Sequence, residues 1–414
     1  IDEHEPIVIY SPEYLKKFGN LVTETPKRVI ANYLMWRASK DSTEYLSESV
    51  LALKFQYHKI LTGKEQDSPR WKMCMETISQ RLDIAVGSAY VRSYFKKESK
   101  EEAEELVTYV RRSFDDILES TDWMDRDTKK QALLKAQHIV PLIAYPEELV
   151  DEDKVSEVYD GLIVTDGELL SNMINVSLNR INTNLQKLRE PVDKLDWTKQ
   201  AGAANVNAYY NSLQNAIKFP AGILQGTFFD SDRPMYLNFG AIGYIIAHEL
   251  THGFDDKGRQ FDWKGELNDW WKQDTKDKFM EKAQCIISQY GNFTVPEIGK
   301  HVNGILTQGE NIADNGGIKE AYHGYKLWMK DNGEEEELPG LPYNTRQLFW
   351  LSAAGIWCGK VRPKSLKLRI SSDSHAPYRF RVNGPFSNTE DFANDWNCPK
   401  DSKMNPEKRC SVWG

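Results

Sequence analysis

The sequence predicts a mainly α fold with a minor β component (α+β), on three observations. The first half reads as helix after helix, strand signals there are sparse, and four more helical patterns follow in the second half. From Lys100 to Leu118, Leu106, Tyr109, Val110 and Ile117 recur at near-helical spacing among many charges. Ser120-Thr-Asp122 offers a cap before Trp123. Asp125 and Asp127 come early and Lys129, Lys130 and Lys135 later, an order that suits the helix dipole. Pro141 and Pro146 end that pattern. The character changes near Asp166, where Asn-rich text leads to Asn205-Val-Asn-Ala-Tyr-Tyr210, an alternating edge-strand pattern. Ile217 to Leu224 holds Pro220 and Gly222 and reads as an extended loop. Helices are expected from Gly240 to Phe254, from Asp269 to Tyr290, from Gly309 onward, and from Arg346 to Cys358. Glu334 to Glu337 reads as a solvated turn, and the tail from Ser371 as irregular.

The chain has 414 residues, 40% hydrophobic and 28% charged, enough for two domains and an ordinary globular core. A net charge of −8 disfavours nucleic acid and acidic membrane surfaces as partners. No stretch approaches the roughly 20 apolar residues that span a bilayer, so no transmembrane segment is expected. The run from Leu348 to Cys358 reads as a buried helix. The start, Ile1-Asp2-Glu3-His4-Glu5, is acidic and lacks a Met, so a processed or truncated product is expected. Five cysteines (Cys74, Cys285, Cys358, Cys398 and Cys410) form no C-x-x-C pair, which argues against cysteine-ligated zinc. Sequons at Asn175 and Asn292, taken with the cysteines, favour an extracellular location, although sequons also arise by chance.

The chemistry concentrates in Ile245-Ile-Ala-His248-Glu249-Leu-Thr-His252-Gly-Phe-Asp255. On a helix, histidines four apart share a face and can share one ion. Glu249 then leans over the open side of the metal and can take a proton from a water whose pKa zinc lowers to about 7. Ile242, Ile245 and Ile246 would anchor this helix. Two histidines leave zinc one protein ligand short, and Glu310 in Gly309-Glu-Asn-Ile-Ala-Asp314 is the best candidate. The residues alone leave Glu310 open between a ligand and an ordinary first-turn glutamate. Asp314, one turn on, and Asp255, three after His252, can each orient a ligating imidazole. A loop histidine beside a proline usually has no function, yet His375 could stabilise an oxyanion and Arg381 could hold a substrate carbonyl.

These motifs, with Tyr10-Ser-Pro-Glu-Tyr14, Asn207-Ala-Tyr-Tyr210, Phe219-Pro-Ala-Gly-Ile-Leu224 and Cys410-Ser-Val-Trp413, resemble the M13 zinc endopeptidases, the family of neprilysin and endothelin-converting enzyme. The resemblance runs over nearly the whole chain. It implies a thermolysin-like gluzincin catalytic domain under a helical cap: a lead-in segment at 1–14, the partial cap at 15–165 and the catalytic domain at 166–414. It implies one Zn2+ per chain on His248, His252 and Glu310, with Glu249 as base. Asp314 and Asp255 would orient His248 and His252, Asp314 counting among the catalytic groups, and His375 would steady the tetrahedral intermediate. Asn207, Ala208 and Arg381 would hold the peptide backbone. Ile223, Phe228, Ile245, Ile356 and Trp357 would line the pocket for the side chain after the scissile bond, so cleavage before bulky hydrophobic residues of small peptides is expected. Tyr244 departs from the family's smaller residue, which puts the pocket's size in question. Cys285 and Cys410 would pair. Cys74, Cys358 and Cys398 match cysteines whose partners lie in an N-terminal segment this chain lacks, along with the family's membrane anchor, so a disulfide-linked N-terminal fragment is a possible partner. The alternative reading is a zinc-binding but inactive fragment, a peptide-binding module that needs that segment for turnover.

Overall fold

The computed structural model describes residues 3–5, 7, 9, 11–200 and 202–414. Part of the expected lead-in segment, including Tyr10, lies outside them. The mainly α expectation holds. The first four helices, Pro12–Glu24, Lys27–Ser42, Glu48–Thr62 and Arg70–Arg81, contain no buried residue. The core begins with Asp83–Tyr94 and continues through Lys97–Ser120, whose Leu106, Val107, Val110, Phe114 and Ile117 form one buried stripe. The cap of the next helix, Arg126–Gln137, is Asp125 rather than Ser120 to Asp122. The Asp125 carboxylate accepts from the backbone N–H of Asp127 and Thr128, and Thr275 of a distant helix also donates to it.

A three-stranded sheet crosses the middle of the fold. Val140–Ala144 runs parallel to the central strand Ala216–Pro220, which pairs antiparallel with the edge strand Tyr209–Asn211. The central strand corrects the loop expected at Ile217 to Leu224. Ala216, Ile217 and Phe219 are buried, and Pro220 sits at the strand's last position, where its missing N–H costs least. The expected edge strand forms only from Tyr209.

The tail from Ser371 is partly helical: Tyr378–Ser387 and Glu390–Asp395 follow the last strongly periodic segment, and 396–414 is irregular as expected. Pro385 inside the first of these leaves the Arg381 carbonyl without its helical donor, and the buried Tyr244 hydroxyl donates to that carbonyl at 3.2 Å. Tyr244 is thereby withdrawn from the cleft rather than narrowing it. Glu335, expected in a solvated turn, accepts the N–H groups of Met235 and Tyr236 at 2.7 and 3.0 Å and so closes the N-terminus of Met235–Asn238. Cys285 and Cys410 form the expected disulfide, with Cα atoms 5.6 Å apart.

Contacts cross the boundary expected near residue 165. Val140–Ala144 shares a sheet with Ala216–Pro220, and Ser113 donates to the Glu320 carbonyl in the second half of the chain. Helix Leu169–Gln186, in contrast, lies against Arg70–Arg81.

Glu320 is fully buried on the 25-residue helix Gln308–Asn332. Thr251 Oγ1 lies 2.7 Å from its Oε1 and 2.8 Å from the Ala247 carbonyl. A hydroxyl has one proton. A neutral Glu320 can donate to Thr251, which donates to Ala247; a charged one would compete for that proton. Burial accordingly raises this carboxyl from 4.5 to about 8. The folded state holds the proton more tightly than the unfolded chain does. The resulting stability is fully present below pH 4.5 and is lost as pH rises through about 8. Denaturant titrations should show stability falling by a few kcal/mol, order of magnitude, across this window. Glu320→Gln, a neutral isostere, should remove that part of the slope.

Candidate metal centre

Apolar spacing builds the central helix. Ile242, Ile245, Ile246 and Leu250 are buried, and a π-helical turn, Phe239–Gly243, leads directly into Tyr244–His252. The expected helix therefore starts earlier than Gly240, continuous with Met235–Asn238. One turn apart, His248 and His252 bring their Nε2 atoms to 2.9 Å. Glu310, in the first turn of Gln308–Asn332, places Oε2 3.3 Å from His248 Nε2 and 3.5 Å from His252 Nε2.

This His-His-Glu group has the composition and spacing to hold a metal ion. Tetrahedral bonds of about 2.0–2.1 Å require ligand atoms about 3.3 Å apart, close to the observed triangle. Glu310 Oε2 is also buried without a hydrogen bond of good geometry, although imidazole nitrogens crowd it. Burial opposes ionisation of Glu310, but His248, His252 and His375 overcome it and hold the carboxyl far below the usual carboxylate range.

The imidazoles are braced from behind. His252 Nδ1 lies 2.7 Å from Asp255 Oδ2, and His248 Nδ1 lies 2.9 Å from Asp314 Oδ1. Asp314 has no exposed surface and accepts two bonds of 2.8 Å from Arg381, so it can reach a substrate only through these neighbours. Glu249 is 7% exposed. Burial raises its carboxyl above 4.5, against the opposing pull of His248 and His252. His375 Nε2 lies 3.2 Å from Glu310 Oε2, with its side chain still 42% exposed.

Asp373, which the sequence reading missed, accepts from His375 Nδ1 at 2.9 Å and from Arg369 Nε at 3.0 Å. Its only sequence signal is its place two residues before His375.

The group opens into a cleft of ≈ 790 Å³ lined by Asn207, Ala208, Ile223, Phe228, Ile245, Trp357, His375 and Arg381, among others. Ile356 is not a lining residue. It follows Gly355, the last residue of helix Thr345–Gly355, and packs on the core instead. Arg381 stacks on Trp357 with its guanidinium carbon 3.9 Å from the ring centroid.

Two family models, both described as peptidase family M13, match residues 1–146 and 207–412, the second containing every residue of this centre. The chain belongs to peptidase family M13. Relatives in the family include neprilysin-2 of Drosophila melanogaster, 46% identical over 424 residues that span 100% of this chain and 55% of the relative. Human neprilysin is 42% identical over 415 residues, again 100% of this chain and 55% of the relative. The chain thus spans about half the length of these curated relatives. The fold is similar to a crystal structure of the Mycobacterium tuberculosis zinc metalloprotease Zmp1 in complex with an inhibitor. The TM-score is 0.89 at 30% identity, over 99% of this chain and 61% of that one. It also resembles PepO from Lactobacillus rhamnosis, with a TM-score of 0.79 at 29% identity, over 90% of this chain and 56% of that one.

The centre depends on a close crossing of two helices. A Cβ on Gly317 would lie 2.7 Å from His248 N, and one on Gly316 2.9 Å from Thr251 Cγ2. Gly317→Ala should lower stability by about 1–3 kcal/mol through overpacking, read from the denaturation midpoint. An unchanged midpoint would show that the helices have slack here.

Proposed function

We propose that the chain is the metal-bearing part of a neprilysin-like zinc endopeptidase that hydrolyses small peptides on the amino side of bulky hydrophobic residues. The observation that carries this reading is the convergence of His248, His252 and Glu310 beside a buried Glu249 in an apolar-walled cleft. These three would hold one Zn2+. When bound, zinc supplies a Lewis acid that polarises the scissile carbonyl and acidifies water.

The chain's own groups do the rest. Glu249, its basicity increased by burial, takes the proton of the attacking water and passes it to the leaving amine. Asp255 and Asp314 fix the rings of His252 and His248. His375, held by Asp373, donates to the developing oxyanion, and Arg381, with two N–H groups engaged by Asp314, offers another to the substrate carbonyl. Asn207 and Ala208 lead into Tyr209–Asn211, a strand at the edge of the sheet, and grip an extended peptide there. Ile223, Phe228, Ile245 and Trp357 receive the apolar side chain after the scissile bond.

The disulfide favours an extracellular location. No helix among the described residues is long and apolar enough to cross a membrane. Asn292 is exposed at the end of Gln273–Gly291 and suits glycosylation. Asn175 lies within a helix and donates its amide to the Ile163 carbonyl at 3.0 Å, which disfavours it. Cys74 and Cys358 are exposed thiols and Cys398 a half-buried one, each able to join an N-terminal fragment. The cap of this reading comprises the helices from Pro12 to Arg81 together with Leu169–Gln186.

With zinc, the chain should cleave an internally quenched peptide carrying Phe or Leu after the scissile bond and spare one carrying Asp there. A chelator should abolish cleavage and zinc restore it. Glu249→Gln should lower turnover by at least about 10²-fold while metal analysis still finds one zinc per chain. Zinc binding without turnover in the unaltered chain would favour the inactive, peptide-binding reading. Retained turnover in Glu249→Gln would remove that residue from its role.

A further inference from the structure

Among the described residues, Lys135 is the one lysine with no exposed surface. It lies near the end of Arg126–Gln137, and its ammonium donates to the carbonyls of Gly253, Gly258 and Phe261 at 2.6, 2.7 and 2.7 Å. Three acceptors are the full complement of an ammonium group. All three belong to the segment that leaves the metal helix at His252. The rings of Phe254, Trp270 and Tyr210 stand 5.2, 5.9 and 6.0 Å from Nζ and close the site.

Burying a lone ammonium is unfavourable, and an apolar side chain of this length would fill the space without that cost. The charge has a counterpart. Asp255 lies on the other side of the same segment, where its Oδ1 accepts the N–H groups of Lys257 and Gly258 at 2.8 and 2.7 Å. Gly258 therefore gives its N–H to Asp255 and its carbonyl to Lys135. The turn is tight enough that a Cβ on Gly258 would fall 1.9 Å from the His252 carbonyl oxygen. Asp255 Oδ2 is the atom that holds His252 Nδ1.

We propose that Lys135 is a positioning residue of the metal centre. Its ammonium gathers the carbonyls of residues 253–261 and balances the charge of Asp255. The turn then holds the Asp255 carboxylate where it keeps His252 Nε2 aimed at His248 and Glu310. This rests on the metal-site reading above and adds to it a residue from a helix that carries none of the ligands.

The test is zinc affinity of the full chain, by competition with a chromophoric chelator, together with thermal unfolding of the metal-free protein. Lys135→Met should weaken zinc binding about 10- to 100-fold, the range typical of losing a ligand's hydrogen-bonded support. Val91→Ala, a core truncation on Asp83–Tyr94, a helix that packs on Arg70–Arg81 and Glu147–Val150, should lower the unfolding temperature yet keep zinc affinity within about twofold. Should Lys135→Met fail to fold, Lys135→Gln, neutral and with two donors left, gives the same reading. Asp255→Asn combined with the Lys135 variant should bind zinc no more weakly than Asp255→Asn alone, since both act through one contact. Unchanged affinity in the Lys135 variants, or additive losses in the double variant, would overturn the proposal. Absence of zinc binding in the unaltered chain would instead sink the metal-site reading itself.

Discussion

The candidate centre exists because two helices approach closely enough for one carboxylate to reach two imidazoles. Tyr244–His252 supplies the histidines and Gln308–Asn332 the glutamate, and neither could hold an ion alone. At the crossing, any side chain on Gly317 would strike the His248 backbone. With glycine there the axes close up, and Glu310 and Asp314, one turn apart, reach the front and back of the His248 ring. Interhelical distances are ordinarily set by side chains at the contact. Here their absence sets the distance, and the ligand triangle follows from it.

Much of this was legible in local text. The i, i+4 histidines put two ring nitrogens on one face, and Asp314 one turn from Glu310 followed from helical geometry; the helix ends at His252, short of the expected Phe254, so Asp255 reaches its ring from the turn beyond. The disulfide and the M13 motifs came from resemblance. What could not be read were contacts made by carbonyls and amides, which leave no trace in side-chain patterning. Glu335 looked like one acid in a solvated run, yet it closes a helix N-terminus far away in the chain. Lys135 looked like a late-helix lysine suited to the dipole, yet it faces inward to three carbonyls. Pro220 and the tail prolines looked like breakers. One ends a buried strand, and another frees a carbonyl that a tyrosine satisfies. Ile356 misled for a related reason: its place beside Trp357 in sequence says nothing about which side chain turns to the cleft past the end of a helix.

Charge balance ties the two buried cations to the centre. Glu249, Asp255 and Glu310 line the cleft with Asp314 buried behind them, and Arg381 and Lys135 are the buried basic groups beside them. Burying carboxylates is unfavourable by itself. Burial also draws the Lys135 ammonium down to about 7, while the neighbouring carboxylates, against burial, push His248 and His252 up. A divalent ion on His248, His252 and Glu310 would take the place of protons on those imidazoles. The two cations are not equivalent. Arg381 neutralises Asp314 through a direct bidentate pair, which its planar fork suits. Lys135 reaches Asp255 only through the peptide groups between them, so its charge is expressed as the shape of a turn. A metal site assembled this way has its ligand orientation set by a turn hydrogen-bonded on both sides, to Lys135 and to Asp255. That gives the helix Arg126–Gln137, which donates no ligand, a part in how tightly the ion is held.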